Sequence, residues 1–153
     1  KASIDALKVA APQPPAGPTL DPAVVLGLPA KMRLVQDTFD LTGGQHAAAV
    51  FDGNGDLLAV REDIGRHNAV DKVIGALAAE RWPIGEVVLL VSGRVSFEIV
   101  QKAAVAGIPV VGGVSAASSL AAETAEELGL TVIGFLRDES FNVYTGTGRV
   151  GAT

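Results

Sequence analysis

Cysteine is absent from all 153 residues, which excludes disulfides, thiolate metal sites and a cysteine nucleophile within the chain. Aromatic residues are scarce at 5%, with one Trp and one Tyr, so the core cannot rest on large rings. Cations are outnumbered, 12 Lys and Arg against 17 Asp and Glu, for a formal net charge of −5. Such an acidic chain is unsuited to nucleic acid, whose phosphates demand basic surface; a local basic pocket for one small phosphorylated ligand stays open. No apolar run reaches membrane-spanning length and no signal peptide is visible, so the expectation is a cytoplasmic chain without a membrane segment. The first residue is Lys1 rather than Met, which suggests a fragment or trimmed chain.

What is present is 48% hydrophobic, with 18 Gly and 8 Pro. One core burying roughly 70% of the unfolded surface is within reach of this length. The small side chains predict close packing in an α/β domain.

Residues 1–22 read as an N-terminal segment and linker, because five of the eight prolines fall between Pro12 and Pro22. Residues 23–145 read as a single domain and 146–153 as a flexible tail. Leu28, Met32, Val35 and Phe39 recur at helical spacing ahead of Gly43-Gly44. Ala47–Phe51 and Leu57–Val60 are strand-like runs around the turn signal Asp52-Gly53-Asn54-Gly55. Helices then alternate with buried strands: Val70 to Leu77, Val87–Val91, Phe97 to Ala104, Ile108–Val111, Leu120 to Leu128 (with Leu120, Ala121, Thr124, Ala125 and Leu128 inward) and Leu130–Leu136. Asn142–Thr145 is a short final strand. The predicted architecture is a three-layer α/β/α domain with a mixed sheet.

Ligands in open α/β sheets gather beyond the carboxyl ends of the strands. At the first such junction, eight of the twelve residues from Arg61 to Lys72 are charged or hydrogen-bonding. Arg66 suits an anion, and His67 can pair with Asp71 four residues on. A plainer reading is a helix start, with Asp63 at its N-terminus and His67 in the core. Eight such residues together favour a site. Ser92-Gly93-Arg94-Val95-Ser96 combines a tight turn, a cap and an anion-reaching Arg94. Gly112-Gly113-Val114-Ser115 and the serines that follow offer N–H groups and hydroxyls as a phosphate seat, although no Walker ending is present. Arg137 lies just past a buried strand. His46 has no evident partner and is expected to pack or cap the hairpin; Glu98 and Lys102 read as a surface pair. No metal site is predicted.

Gly65-Arg66-His67-Asn68-Ala69-Val70-Asp71-Lys72-Val73-Ile74-Gly75 closely resembles the signature of the FdhD family. The resemblance continues through Thr42-Gly43-Gly44-Gln45-His46-Ala47-Ala48, Ser92-Gly93-Arg94-Val95-Ser96-Phe97-Glu98, Ala106-Gly107-Ile108-Pro109, Val114-Ser115-Ala116, Gly134-Phe135 and Asn142-Val143-Tyr144-Thr145. It implies a cytidine-deaminase-like α/β/α fold in an accessory sulfurtransferase. Such proteins take sulfur from a cysteine desulfurase as a persulfide on a Cys-x-x-Cys loop. They pass it to the molybdenum (or tungsten) bis(guanine dinucleotide) cofactor of formate dehydrogenase, for which GDP is a mimic. The family's loop precedes a stretch similar to Lys1-Ala2-Ser3-Ile4, so the chain is expected to begin just after it, unable to transfer sulfur alone. The resemblance also implies cofactor contacts along Phe135, Leu136, Arg137, Asp138, Glu139 and Ser140, where relatives often carry Gly and Arg around 138–140. Ala117 replaces a proline common after the Ser-Ala pair. A homodimer is a family-based expectation.

Two other classes compete. A zinc nucleoside deaminase needs a Pro-Cys-x-x-Cys segment, which a cysteine-free chain lacks. A non-catalytic nucleotide-binding or docking module for formate dehydrogenase assembly fits the residues as well.

Overall fold

The computed structural model describes residues 2–38 and 46–151. In chain order these form α1 (Ala2–Ala10), α2 (Pro22–Thr38), β1 (His46–Asp52), β2 (Leu57–Asp63), α3 (Arg66–Ala78), β3 (Val87–Val91), α4 (Phe97–Ala106), β4 (Val110–Gly113), α5 (Ser119–Leu128), β5 (Thr131–Gly134) and β6 (Asn142–Thr145). The expected helix residue Phe39, its Gly43-Gly44 stop and the 42–45 part of the family motif lie outside the described residues.

The strands make one six-stranded sheet in the order β2-β1-β3-β4-β5-β6. β1 is antiparallel to both β2 and β3, β3–β4–β5 are parallel, and β6 returns antiparallel. Alternation along each strand divides the core. Leu89 and Val91 of β3 join Ala48, Val111 and Val132 beneath α3, α4 and α5, while Val88 and Leu90 join Ala49, Phe51 and Ile133 beneath α2. The successive β3-α4-β4-α5-β5 crossovers step in one direction across the sheet, and a constant crossover hand then puts both helices on one face. The fold is the expected α/β type with helices on both faces, crowded on one side and lighter on the other.

Helix ends explain where strands start. Asp21 caps α2 through its carboxylate, which accepts the Ala23 N–H at 2.9 Å, and Pro22 is the first helical residue. Gly107 and Gly129 stop α4 and α5 in left-handed conformation, both at φ 75°. The next residues, Ile108 and Leu130, donate their N–H groups back to Ala103 and Ala125. That use in the caps moves the strands from the expected Ile108–Val111 to Val110–Gly113, and from Leu130–Leu136 to Thr131–Gly134. Leu120, expected inward, is exposed at the first turn of α5.

The described residues on either side of the 23–145 body are fastened to it. Ile4 and Leu7 of α1 are buried, and Leu20 is fully buried. The Leu20 N–H donates to the Arg149 carbonyl at 2.7 Å, and the Gly151 N–H returns to the Leu20 carbonyl at 2.8 Å. The Arg149 side chain, in the short 3-10 turn Thr147–Arg149, is nearly enclosed. It donates to the Gly129 carbonyl, the Thr131 hydroxyl and the Pro15 carbonyl at 2.9, 3.0 and 2.6 Å. One guanidinium thus ties the proline-rich segment, the α5–β5 turn and residues 146–151 together, where the sequence suggested a loose linker and a frayed tail. Replacing Arg149 by Ala leaves three acceptors short of a donor and should cost about 2–4 kcal/mol in urea unfolding. Lys cannot span the same fork and should recover only part of that loss.

Candidate functional site

Because β1 opposes both of its neighbours, β2, β3, β4 and β5 all end on the same edge. The four junctions singled out in the sequence therefore lie along that edge.

The first is organised by Asp63. Its carboxylate accepts the Gly65 N–H at 2.8 Å and the Asn68 amide at 3.2 Å, and pairs with Lys72 at 2.8 Å. Lys72 also donates to the Glu62 carbonyl at 3.0 Å. These bonds define the entry into α3 and so place Arg66 and His67. Lys72, Gly65 and Asn68 all favour the carboxylate and hold its pKa down from 3.8 to about 2.

His67 does not pair with Asp71. Its Nε2 lies 3.3 Å from the Ser96 hydroxyl, and Asp71 instead takes Lys102 at 2.7 Å. The i,i+4 contact loses because α4 packs alongside α3 and brings Lys102 across to Asp71. The same pairing removes Lys102 from Glu98. Ser96 meanwhile caps α4, accepting the Ile99 N–H at 3.4 Å.

Ser92 is spent inside the sheet: its hydroxyl accepts the Ala47 N–H at 2.9 Å, stapling β3 to β1. Gly93 is backed by the His46 ring and the Arg66 side chain, whose atoms would lie 3.5 and 3.8 Å from an added Cβ. His46 thus stands beside Arg66 at the edge, a placement no local pattern in the sequence announced. Gly112 and Gly113, expected to help seat a phosphate, are both buried. Both belong to β4, paired with β3, and a Cβ on Gly113 would come within 2.7 Å of Val95 and 3.2 Å of the Gly93 carbonyl. The glycine is there for close packing. Ser115 contributes its carbonyl to the Phe135 N–H at 2.9 Å.

The remaining residues divide into two places. Arg66 and Arg94 line a cleft of about 470 Å³ with Ser96, Phe97, Glu98, Ser118 and Leu120, between the starts of α3, α4 and α5. That volume is in the range of small-molecule sites, roughly 300–1,000 Å³. The loop after β5 lies toward α2, where Leu136 enters the α2-side core. Phe135 is exposed with a φ of 49°, a left-handed backbone that a bulky residue adopts at a cost. The Arg137 N–H donates to the Ser140 carbonyl at 2.9 Å, closing the loop. Asp138 is gripped by Arg33 of α2, with both carboxylate oxygens at 2.9 Å, so this acid faces a cation. Glu139 and Ser140 line an apolar groove with Leu26 and Phe141. The cleft walls Phe97 and Leu120 are residues sequence reasoning passed over as site residues, whereas Ser118 was among the serines expected at the start of α5. Among the described residues no three His, Asp or Glu side chains gather as a metal site, and no helix is long and apolar enough to cross a membrane.

The fold and edge define an α/β/α domain with a two-arginine cleft at the carboxyl ends of its parallel strands. The sequence profile of the FdhD/NarQ family matches residues 1–151, and the chain belongs to that family. A protein of Nocardia farcinica named sulfur carrier protein FdhD is 60% identical over 140 residues, covering 91% of this chain and 50% of the relative. One of the same name from Mycolicibacterium paratuberculosis is 53% identical over 154 residues, covering 99% and 57%. A crystal structure described as a formate dehydrogenase accessory protein from Desulfotalea psychrophila superposes with a TM-score of 0.82 at 27% identity, covering 95% of this chain and 62% of that one. The chain therefore spans about half the length of the curated relatives it matches.

Two outcomes follow from the site's scaffold. Asp63 has a lower pKa folded than unfolded, so its stabilisation is complete above about pH 4 and is lost as pH falls toward about 2. Melting temperatures of wild type and Asp63→Asn should differ at pH 6 and converge by pH 2. Gly113→Ala should cost about 1–3 kcal/mol by overpacking against Val95, read by urea unfolding.

Proposed function

We propose that this chain is the cofactor-binding body of a sulfur carrier. The complete protein would move sulfur from a cysteine desulfurase to the molybdenum (or tungsten) bis(guanine dinucleotide) cofactor destined for formate dehydrogenase, in the cytoplasm. The observation that carries this reading is the convergence of Arg66 and Arg94 on one apolar-walled cleft in a member of the FdhD/NarQ family.

The residues present suit the group. Two guanidinium forks match a diphosphate, and Phe97 and Leu120 offer faces to a purine. The ligand has two guanine dinucleotide arms, and the sheet edge offers two places: the cleft, and the Phe135–Ser140 loop on the α2 side. Asp138 of that loop is compatible with such a ligand because it is already paired with Arg33. The cofactor supplies the metal centre that accepts sulfur. This chain's own residues bind and orient: Arg66 and Arg94 would hold phosphates, and His67, through Ser96, fixes the start of α4 beneath them. Sulfur carriage itself needs a thiolate, which none of these residues provides.

Calorimetry with GDP should show binding, and Arg66→Ala and Arg94→Ala should each weaken it by roughly tenfold. Absence of binding at roughly millimolar GDP would overturn the cleft assignment. Incubated with a cysteine desulfurase and cysteine, the chain alone should acquire no persulfide by mass spectrometry.

A further inference from the structure

Among the described residues, Glu98 is the one carboxylate lining the cleft that holds Arg66 and Arg94. The partner expected from its helix, Lys102, is held by Asp71 at 2.7 Å. Glu98 occupies the second position of α4 and is exposed, and its own backbone N–H, the Ser96 hydroxyl, His67 and Arg66 all favour its charged form. Those contacts hold its carboxyl below the usual range, so it is charged at neutral pH. Ser96 also caps the Ile99 N–H. At the start of α4, which would otherwise attract an anion into the cleft, Ser96 takes the Ile99 N–H and Glu98 adds a negative charge of the protein's own.

From this we infer that Glu98 is a specificity-determining residue, an internal anion that keeps small free anions such as pyrophosphate out of the cleft. The inference rests on the nucleotide reading of the same site and adds a selection rule to it. A free phosphate or pyrophosphate ion has only charge to offer, and Glu98 cancels part of the field it would meet. A nucleotide also buries a base against Phe97 and Leu120 and can reach Arg94, so it depends less on the α4 terminus. A carrier of a nucleotide-bearing cofactor gains from such a filter, because inorganic anions are otherwise competitors for the same two arginines.

The test compares wild type, Glu98→Gln and Glu80→Gln for inorganic pyrophosphate and GDP by calorimetry at low salt. Glu98 is exposed, and thermal melting verifies that each variant folds. Glu80, just beyond the far end of α3, removes the same charge from the opposite edge of the domain. Glu98→Gln should tighten pyrophosphate binding roughly two- to fivefold, with a smaller gain for GDP, and Glu80→Gln should leave both unchanged. Unchanged or weaker pyrophosphate binding in Glu98→Gln overturns the inference. So does an equal gain for GDP, or an equal gain in Glu80→Gln. If wild type binds no GDP yet Glu98→Gln gains for pyrophosphate, the filter stands and the nucleotide reading falls. If GDP binds while pyrophosphate is indifferent to Glu98, the nucleotide reading stands and the filter falls. If neither protein binds either ligand, both fall.

Discussion

β1 runs against both β2 and β3, and every later feature of the molecule depends on that pairing. Two antiparallel contacts in succession turn β2 to point the same way as β3, and the parallel steps to β4 and β5 keep the direction. Four chain exits consequently share one edge. Each exit must turn, release its backbone from the ladder and begin a helix or loop, so this edge collects polar groups that the rest of the sheet excludes. Chemistry gathers there because hydrogen bonding forbids it elsewhere.

Having collected polar residues, the edge must still hold them in place. Asp63 uses both carboxylate oxygens to set the start of α3, and Ser96 and Ser118 close the starts of α4 and α5. His67 links the first helix start to the second through Ser96. Bonds of this kind have small net value in water but fix side-chain direction, which is what a two-arginine cleft requires. On the other side of the sheet, the bond from Arg33 to Asp138 performs the same task for the loop after β5.

Much of the fold was legible because it rests on short-range patterns. Val87–Val91 reads as a doubly buried strand and is one; Gly107 and Gly129 read as helix stops and are. The shifted starts of β4 and β5 trace to Ile108 and Leu130 being used in helix caps, a competition invisible to hydropathy. Within the candidate site, the grouping of Arg66 with Arg94 was foreseeable from the rule for strand ends. The partner of Asp71 was not, since an i,i+4 neighbour and a residue on the next helix look equally plausible along the chain. Nor was Gly113: a glycine beside serines suggests a phosphate seat, and only the approach of Val95 reveals a packing requirement.

The sequence by itself determined the class of fold, the positions of most elements, the absence of a thiolate and the resemblance that places the chain in its family. These properties are local or compositional, or are carried by ordered motifs, and need no knowledge of what lies across the sheet. Tertiary structure decided which charges meet. It gave Lys102 to Asp71 and so freed Glu98 to face the cleft, set His46 behind Gly93, and separated Phe135–Ser140 from the arginines. It also made Arg149 the clasp for two segments that read as loose. Coulombic and hydrogen-bonding partners are chosen over a few ångströms in space, and residues 134 positions apart, such as Pro15 and Arg149, become neighbours only once the chain has folded.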